Sequence, residues 1–175
     1  MKSLRHAILP ILAAVLACTV GCAAFRREGR TQADTLLVTG NYLDCRLLCE
    51  LAQYRTKQPV ILFSSDLDGS QQMFFLPTPQ KPDITPADKF GELITFVNPK
   101  RVVVVGGSAV VPEKYIEEAK ALCTVLIIDG SDPSKCAKEL GHLLNQNRLQ
   151  RDFDDFKARL NDRELHQRSM SNRRD

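Results

Sequence analysis

Arg101-Val102-Val103-Val104-Val105-Gly106-Gly107-Ser108 is a run of four valines that stops at two glycines. β-Branched residues with no polar residue between them suit a strand covered on both faces, and such strands belong to parallel sheets wrapped by helices. Outward from this run the pattern recurs. Thr35-Leu36-Leu37-Val38-Thr39 and Pro59-Val60-Ile61-Leu62-Phe63 precede it, and Thr124-Val125-Leu126-Ile127-Ile128 follows. Helices are expected between these runs, over Leu43 to Tyr54, Ala87 to Val97, Pro112 to Leu122 and Pro133 to Asn145. Pro112 and Pro133 each suit the first position of a helix, where a missing N–H costs nothing. Strand alternating with helix predicts a three-layer α/β/α fold on a mainly parallel sheet of about four strands, Rossmann-like or toprim-like.

The chain of 175 residues is 43% hydrophobic and 26% charged, which is the balance of one soluble globular core and not of a disordered or fibrous chain. Its net charge of +3 nearly vanishes once Lys2 and Arg5 are set aside, so electrostatic binding of nucleic acid is not expected. Gln71 to Pro86 breaks the strand–helix rhythm with Pro77, Pro79, Pro82 and Pro86 and reads as an extended surface loop. Its Met73-Phe74-Phe75-Leu76 is either an exposed contact patch or, more commonly for such a run, a short extra strand or a segment folded back on the core. From Arg148 onward, Leu149, Phe153, Phe156 and Leu160 fall at helical spacing in a highly charged background. That predicts a C-terminal amphipathic helix to about Leu165, packed on its own domain or paired with a partner, and a frayed tail over Gln167 to Asp175.

The N-terminus reads as an export signal. Lys2 and Arg5 precede the apolar run Ala7 to Leu16, which is too short to span a bilayer, and small residues follow. Cys18 and Cys22 each sit where a bacterial lipoprotein signal is cut, and Cys22 is the preferred lipidation site because Gly21 precedes it and polar residues begin soon after. The organisation is then signal peptide over 1–22, linker over 23–33, α/β domain over 34–147 and charged helix and tail over 148–175. The chain is expected to be lipid-anchored on the periplasmic side of the envelope, in the outer membrane, since Ala23 is not the aspartate linked to inner-membrane retention. In such a compartment Cys45, Cys49, Cys123 and Cys136 are possible bridge partners, with three pairings open. Cys45 and Cys49 fall on one face of the expected helix; small buried apolar residues are the alternative reading.

In an open parallel sheet, ligands bind beyond the carboxyl ends of the strands. Those ends here are Gly40-Asn41-Tyr42-Leu43-Asp44, Ser64-Ser65-Asp66-Leu67-Asp68-Gly69, Gly106-Gly107-Ser108 and Asp129-Gly130-Ser131-Asp132. The Gly106-Gly107 turn lets the backbone bend tightly, so the amides of a following helix would face an anion. Asp66, Asp68, Asp129 and Asp132 would suit a hard cation such as Mg²⁺ or Ca²⁺, although aspartate is also the usual turn and cap residue. No dinucleotide, P-loop or nucleophile-elbow motif occurs, and neither His142 nor His166 offers a positioned general base. No cofactor and no catalytic residue is therefore assigned.

Leu37 to Asp44 with Gln58 to Phe63, then Lys100 to Val111, then Ile128 to Asp132, resemble in order and spacing the bacterial cell wall-binding repeat type 2 family. The likeness covers about Leu36 to Leu144. Pro133-Ser134 stands where the family carries an arginine–aromatic pair, and one unit is present where the family has several in tandem. The resemblance implies a non-catalytic module that contacts a cell-envelope glycan, an anionic polymer or an envelope protein, and allows a homotrimer with the C-terminal helix as a contact. Gly40, Asn41, Asp44, Gly106, Gly107 and Ser108 would line its site. The rival expectation is a divalent-metal-dependent enzyme acting on a phosphate-bearing substrate through the four aspartates, and a third is a protein that only assembles.

Overall fold

β1 (Thr35–Gly40) is buried along its whole length and lies at the centre of a sheet. The computed structural model describes residues 33–65, 70–79, 82–130 and 132–171. The leader, Cys18, Cys22, most of the linker, Asp66 and Asp68 lie outside these residues. The chain continues through α1 (Leu43–Thr56), β2 (Val60–Ser65), β3 (Gln71–Leu76), β4 (Asp83–Pro86), α2 (Phe90–Val97), β5 (Arg101–Val105), α3 (Glu113–Leu122), β6 (Thr124–Ile128), α4 (Pro133–Leu143) and α5 (Leu149–Ser171). The strands form one sheet in the order β4-β3-β2-β1-β5-β6. β2, β1, β5 and β6 are mutually parallel, and β3 and β4 join antiparallel at the β2 side.

The expected α/β architecture is present, with helices on both faces. α2 and α3 cover one face, where Phe63, Phe90 and Tyr115 form an aromatic core: Phe63 stacks on Tyr115 at 4.4 Å, and Phe90 meets both rings edge-on. α1, α4 and α5 cover the other, burying Leu37, Leu62, Val103, Leu140 and Phe153 together. Arg101 closes the amino end of the sheet. Its Nε donates to Thr35 Oγ1 at 3.0 Å and its Nη2 to the Leu143 carbonyl at 3.2 Å, placing a cation at the carboxyl end of α4. No helix among the described residues is long and apolar enough to cross a membrane.

Four expectations change. Gln71 to Pro86 is not a loop: it is the β3–β4 hairpin, and Met73 and Phe75 face one core while Phe74 and Leu76 face the other. The buried amide of Gln53 fastens it, donating from Nε2 to the Leu76 carbonyl at 2.6 Å. β6 is not covered on both faces, because it is the outer strand, and Leu126 and Ile127 are 37% and 44% exposed. The last helix runs past the expected limit of Leu165, to Ser171. Pro112, placed at a first helical position, is instead the residue that caps α3, whereas Pro133 does begin α4.

Candidate functional site

β1 leads to β2 on one side, while β5 takes the place on its other side, so the chain leaves the carboxyl end of β1 and β5 in opposite directions. A crevice opens where the order reverses, which is the usual ligand position in open α/β sheets. Here it is a cleft of about 240 Å³ lined by Asn41, Tyr42, Phe63, Ser64, Ser65, Ser108, Ala109, Val110 and Pro112. Phe63 forms an apolar floor, held from behind by the aromatic core. Tyr42 stands at the rim, 59% exposed.

Of the expected site residues, Asn41 and Ser108 line this cleft. The Asn41 N–H donates to the Phe63 carbonyl at 2.6 Å, which carries the β1–β2 ladder one residue beyond β1. Its Oδ1 meets Arg46 Nη1 at 3.5 Å, the outer limit of a hydrogen bond, leaving the amide NH₂ as a donor. Gly40, Gly106 and Gly107 shape the cleft from behind. A Cβ on Gly40 would lie 2.7 Å from the Val110 carbonyl oxygen and 2.8 Å from the Tyr42 ring. Gly106 and Gly107 take φ of +88° and +59°, a backbone conformation that a side chain resists. Asp44 is not among the lining residues of this cleft: its Oδ2 accepts from Lys157 Nζ at 2.7 Å and ties α1 to α5.

The Gly106-Gly107 turn does not lead straight into an α-helix. The Gly106 N–H already donates to the Ile128 carbonyl at 2.9 Å. The Gly107 carbonyl then accepts from Val110 and Val111, closing a short 3₁₀ turn, and α3 starts only at Glu113. Of the four aspartates, Asp66 and Asp68 lie outside the described residues. Asp129 rests against Gly107, whereas Asp132 caps α4, its Oδ1 accepting from the Ser134 N–H at 3.0 Å. Among the described residues no group of three or more His, Cys, Asp or Glu is arranged to hold a metal ion. His142 is exposed on α4.

Tyr42, Ser64 and Ser65 are cleft residues that spacing alone does not single out. Their signal was their position directly after β1 and at the end of β2, which becomes informative only once those strands are known to lie side by side. A larger groove, about 700 Å³, lies away from the sheet edge between α1 and α5, and Arg55 and Asp152 pair across its wall. Comparisons with known protein families, with curated proteins and with solved structures found no match to this chain.

Proposed function

We propose that the chain is an exported, non-catalytic envelope protein, lipid-anchored through Cys22, whose α/β domain binds a cell-envelope glycan through the cleft between β1 and β5. One observation carries this reading. The cleft brings an exposed aromatic ring, Tyr42, beside neutral amide and hydroxyl groups of Asn41, Ser64, Ser65 and Ser108 over a rigid apolar floor. Such a surface matches sugar rings and hydroxyls, because each hydroxyl group can donate or accept and the ring face is apolar. It matches an anionic polymer less well, since none of the described residues lining it is basic. The likeness of Leu36 to Leu144 to cell wall-binding repeats supports the same kind of ligand and keeps an envelope protein as the other partner class. The rival, metal-dependent phosphate chemistry at Asp66, Asp68, Asp129 and Asp132, is separated from it by one experiment.

The purified full chain is co-sedimented with membrane-free wall material, with and without a chelator. Saturable binding that survives chelation and weakens about tenfold or more in Tyr42→Ala, a loss of about 1.4 kcal/mol, is the expected result. Equal binding by the parent, Tyr42→Ala and Asn41→Ala would place the ligand elsewhere. Binding abolished by chelation and by Asp66→Asn with Asp68→Asn would move the function to the aspartates.

A further inference from the structure

Three of the four cysteines of the domain gather on one face of the sheet. Cys45 and Cys49 stand one turn apart on α1, and α4, which packs beside α1, carries Cys136 in its first turn. Cys49 and Cys136 are both buried in the same apolar cluster, and Cys45 is half-buried. The sulfurs of Cys45 and Cys136 lie over adjacent turns. A Cβ built on Gly106 would be 3.6 Å from Cys45 Sγ, one built on Gly130 would be 3.3 Å from Cys136 Sγ, and the Gly106 N–H to Ile128 carbonyl bond joins the two turns. Cys123 is on the opposite face, packed against the α2–α3 core with its thiol directed to the Ala119 carbonyl at 3.5 Å.

A disulfide needs Cα atoms roughly 4.4–6.8 Å apart, a span that does not cross a sheet from one helical layer to the other. We infer that Cys136 forms an intramolecular disulfide with one of the two α1 cysteines, Cys45 or Cys49, and that Cys123 stays a thiol. The oxidant is an external disulfide, small-molecule or protein. A thiolate of the chain, most accessibly that of Cys45, attacks one sulfur of the oxidant, forming a mixed disulfide and expelling a thiolate. The thiolate of Cys136 then attacks the mixed disulfide and expels the second half. Two protein thiols lose two protons and two electrons, and the oxidant leaves as two thiols. Burial pushes the ionisation of Cys45, Cys49 and Cys136 upward, so thiolate is scarce near neutral pH and exchange is slow, as in a structural bridge and unlike a catalytic one.

The test uses the full chain, purified reduced, equilibrated at about pH 8 in oxidised and reduced glutathione, quenched in acid, denatured and alkylated. Trypsin cuts after Arg46, Lys120, Lys135 and Lys138 and so places the four cysteines in four separate peptides. A monomeric product in which the Cys136 peptide is linked to the Cys45 or Cys49 peptide, with Cys123 alkylated, is expected. Cys136→Ser should lose that link and Cys123→Ser should keep it. Among the four cysteines of the domain, a link that bypasses Cys136, links between chains only, or full alkylation in the most oxidising buffer would overturn the assignment. None of these outcomes depends on what the cleft binds.

Discussion

Cys49 is wholly enclosed between α1, α4 and the sheet, and burial pushes its thiol far above the ordinary value near 9.0. The folded chain therefore keeps a proton that the unfolded chain releases once pH passes that value. By linkage the folded state then loses stability as pH rises above about 9, by about 1.4 kcal/mol per pH unit, and this thiol adds no pH dependence below it. Urea midpoints of the fully reduced chain at pH 7 and pH 10, with reductant present so that Cys49 is a thiol, check this. The parent should fall more between the two than Cys49→Ala does; an equal fall would show that other groups govern alkaline stability. At the same scale, Gly106 was legible as a turn residue because two glycines end the Val102–Val105 strand. What those glycines do was not legible, since it depends on Val110 and Asp129 folding back against them.

The element that changes most between sequence and structure is the β3–β4 hairpin. Prolines at 77, 79, 82 and 86 mark a loop in a single-sequence reading, yet three of them flank the strands and Pro86 ends the outer one opposite Gln72, at a sheet edge where proline is tolerated. The four apolar residues of Met73 to Leu76 form a strand because both layers of core are there to receive alternate side chains. The C-terminal helix is the opposite case: its spacing announced the apolar stripe, and Leu149 and Phe153 are buried as that stripe requires. The stripe is consumed by the chain's own α4 and α1, leaving Phe156 45% exposed. Truncating Phe153 to alanine should cost about 3–5 kcal/mol, whereas Phe156→Ala should change stability by less than about 0.5 kcal/mol. Chemical denaturation of the two variants checks this, and comparable losses would mean that Phe156 is covered in solution, as the trimer reading would have it.

In the whole molecule the sheet divides two cores that share every central strand: β1 sends Leu36 and Val38 to one face and Leu37 to the other. Loss of either core strips support from the same ladders, so one cooperative transition is expected. Tyr115 is buried on the α2–α3 face, while Tyr42 and Tyr54 are exposed, so near-ultraviolet circular dichroism reports mainly on that face. Its denaturation midpoint should coincide with that of the far-ultraviolet signal, and in Phe153→Ala both should move together although the truncated ring is on the other face. Separate midpoints would show that the α1–α4–α5 layer unfolds by itself.

The sequence by itself determined the α/β class, the four parallel strands and the helices between them, because continuous apolar runs and the 3.6-residue period are local consequences of which faces must leave water. The export and lipid anchor read from residues 1–22 stay a proposal about residues outside the described ones. Strand order, the exposed flank of β6, the hairpin, the cleft between β1 and β5, and the gathering of Cys136 with Cys45 and Cys49 were decided only in three dimensions. Each depends on which segments distant in the chain become neighbours. That choice is made by packing across the sheet, and no local pattern records it.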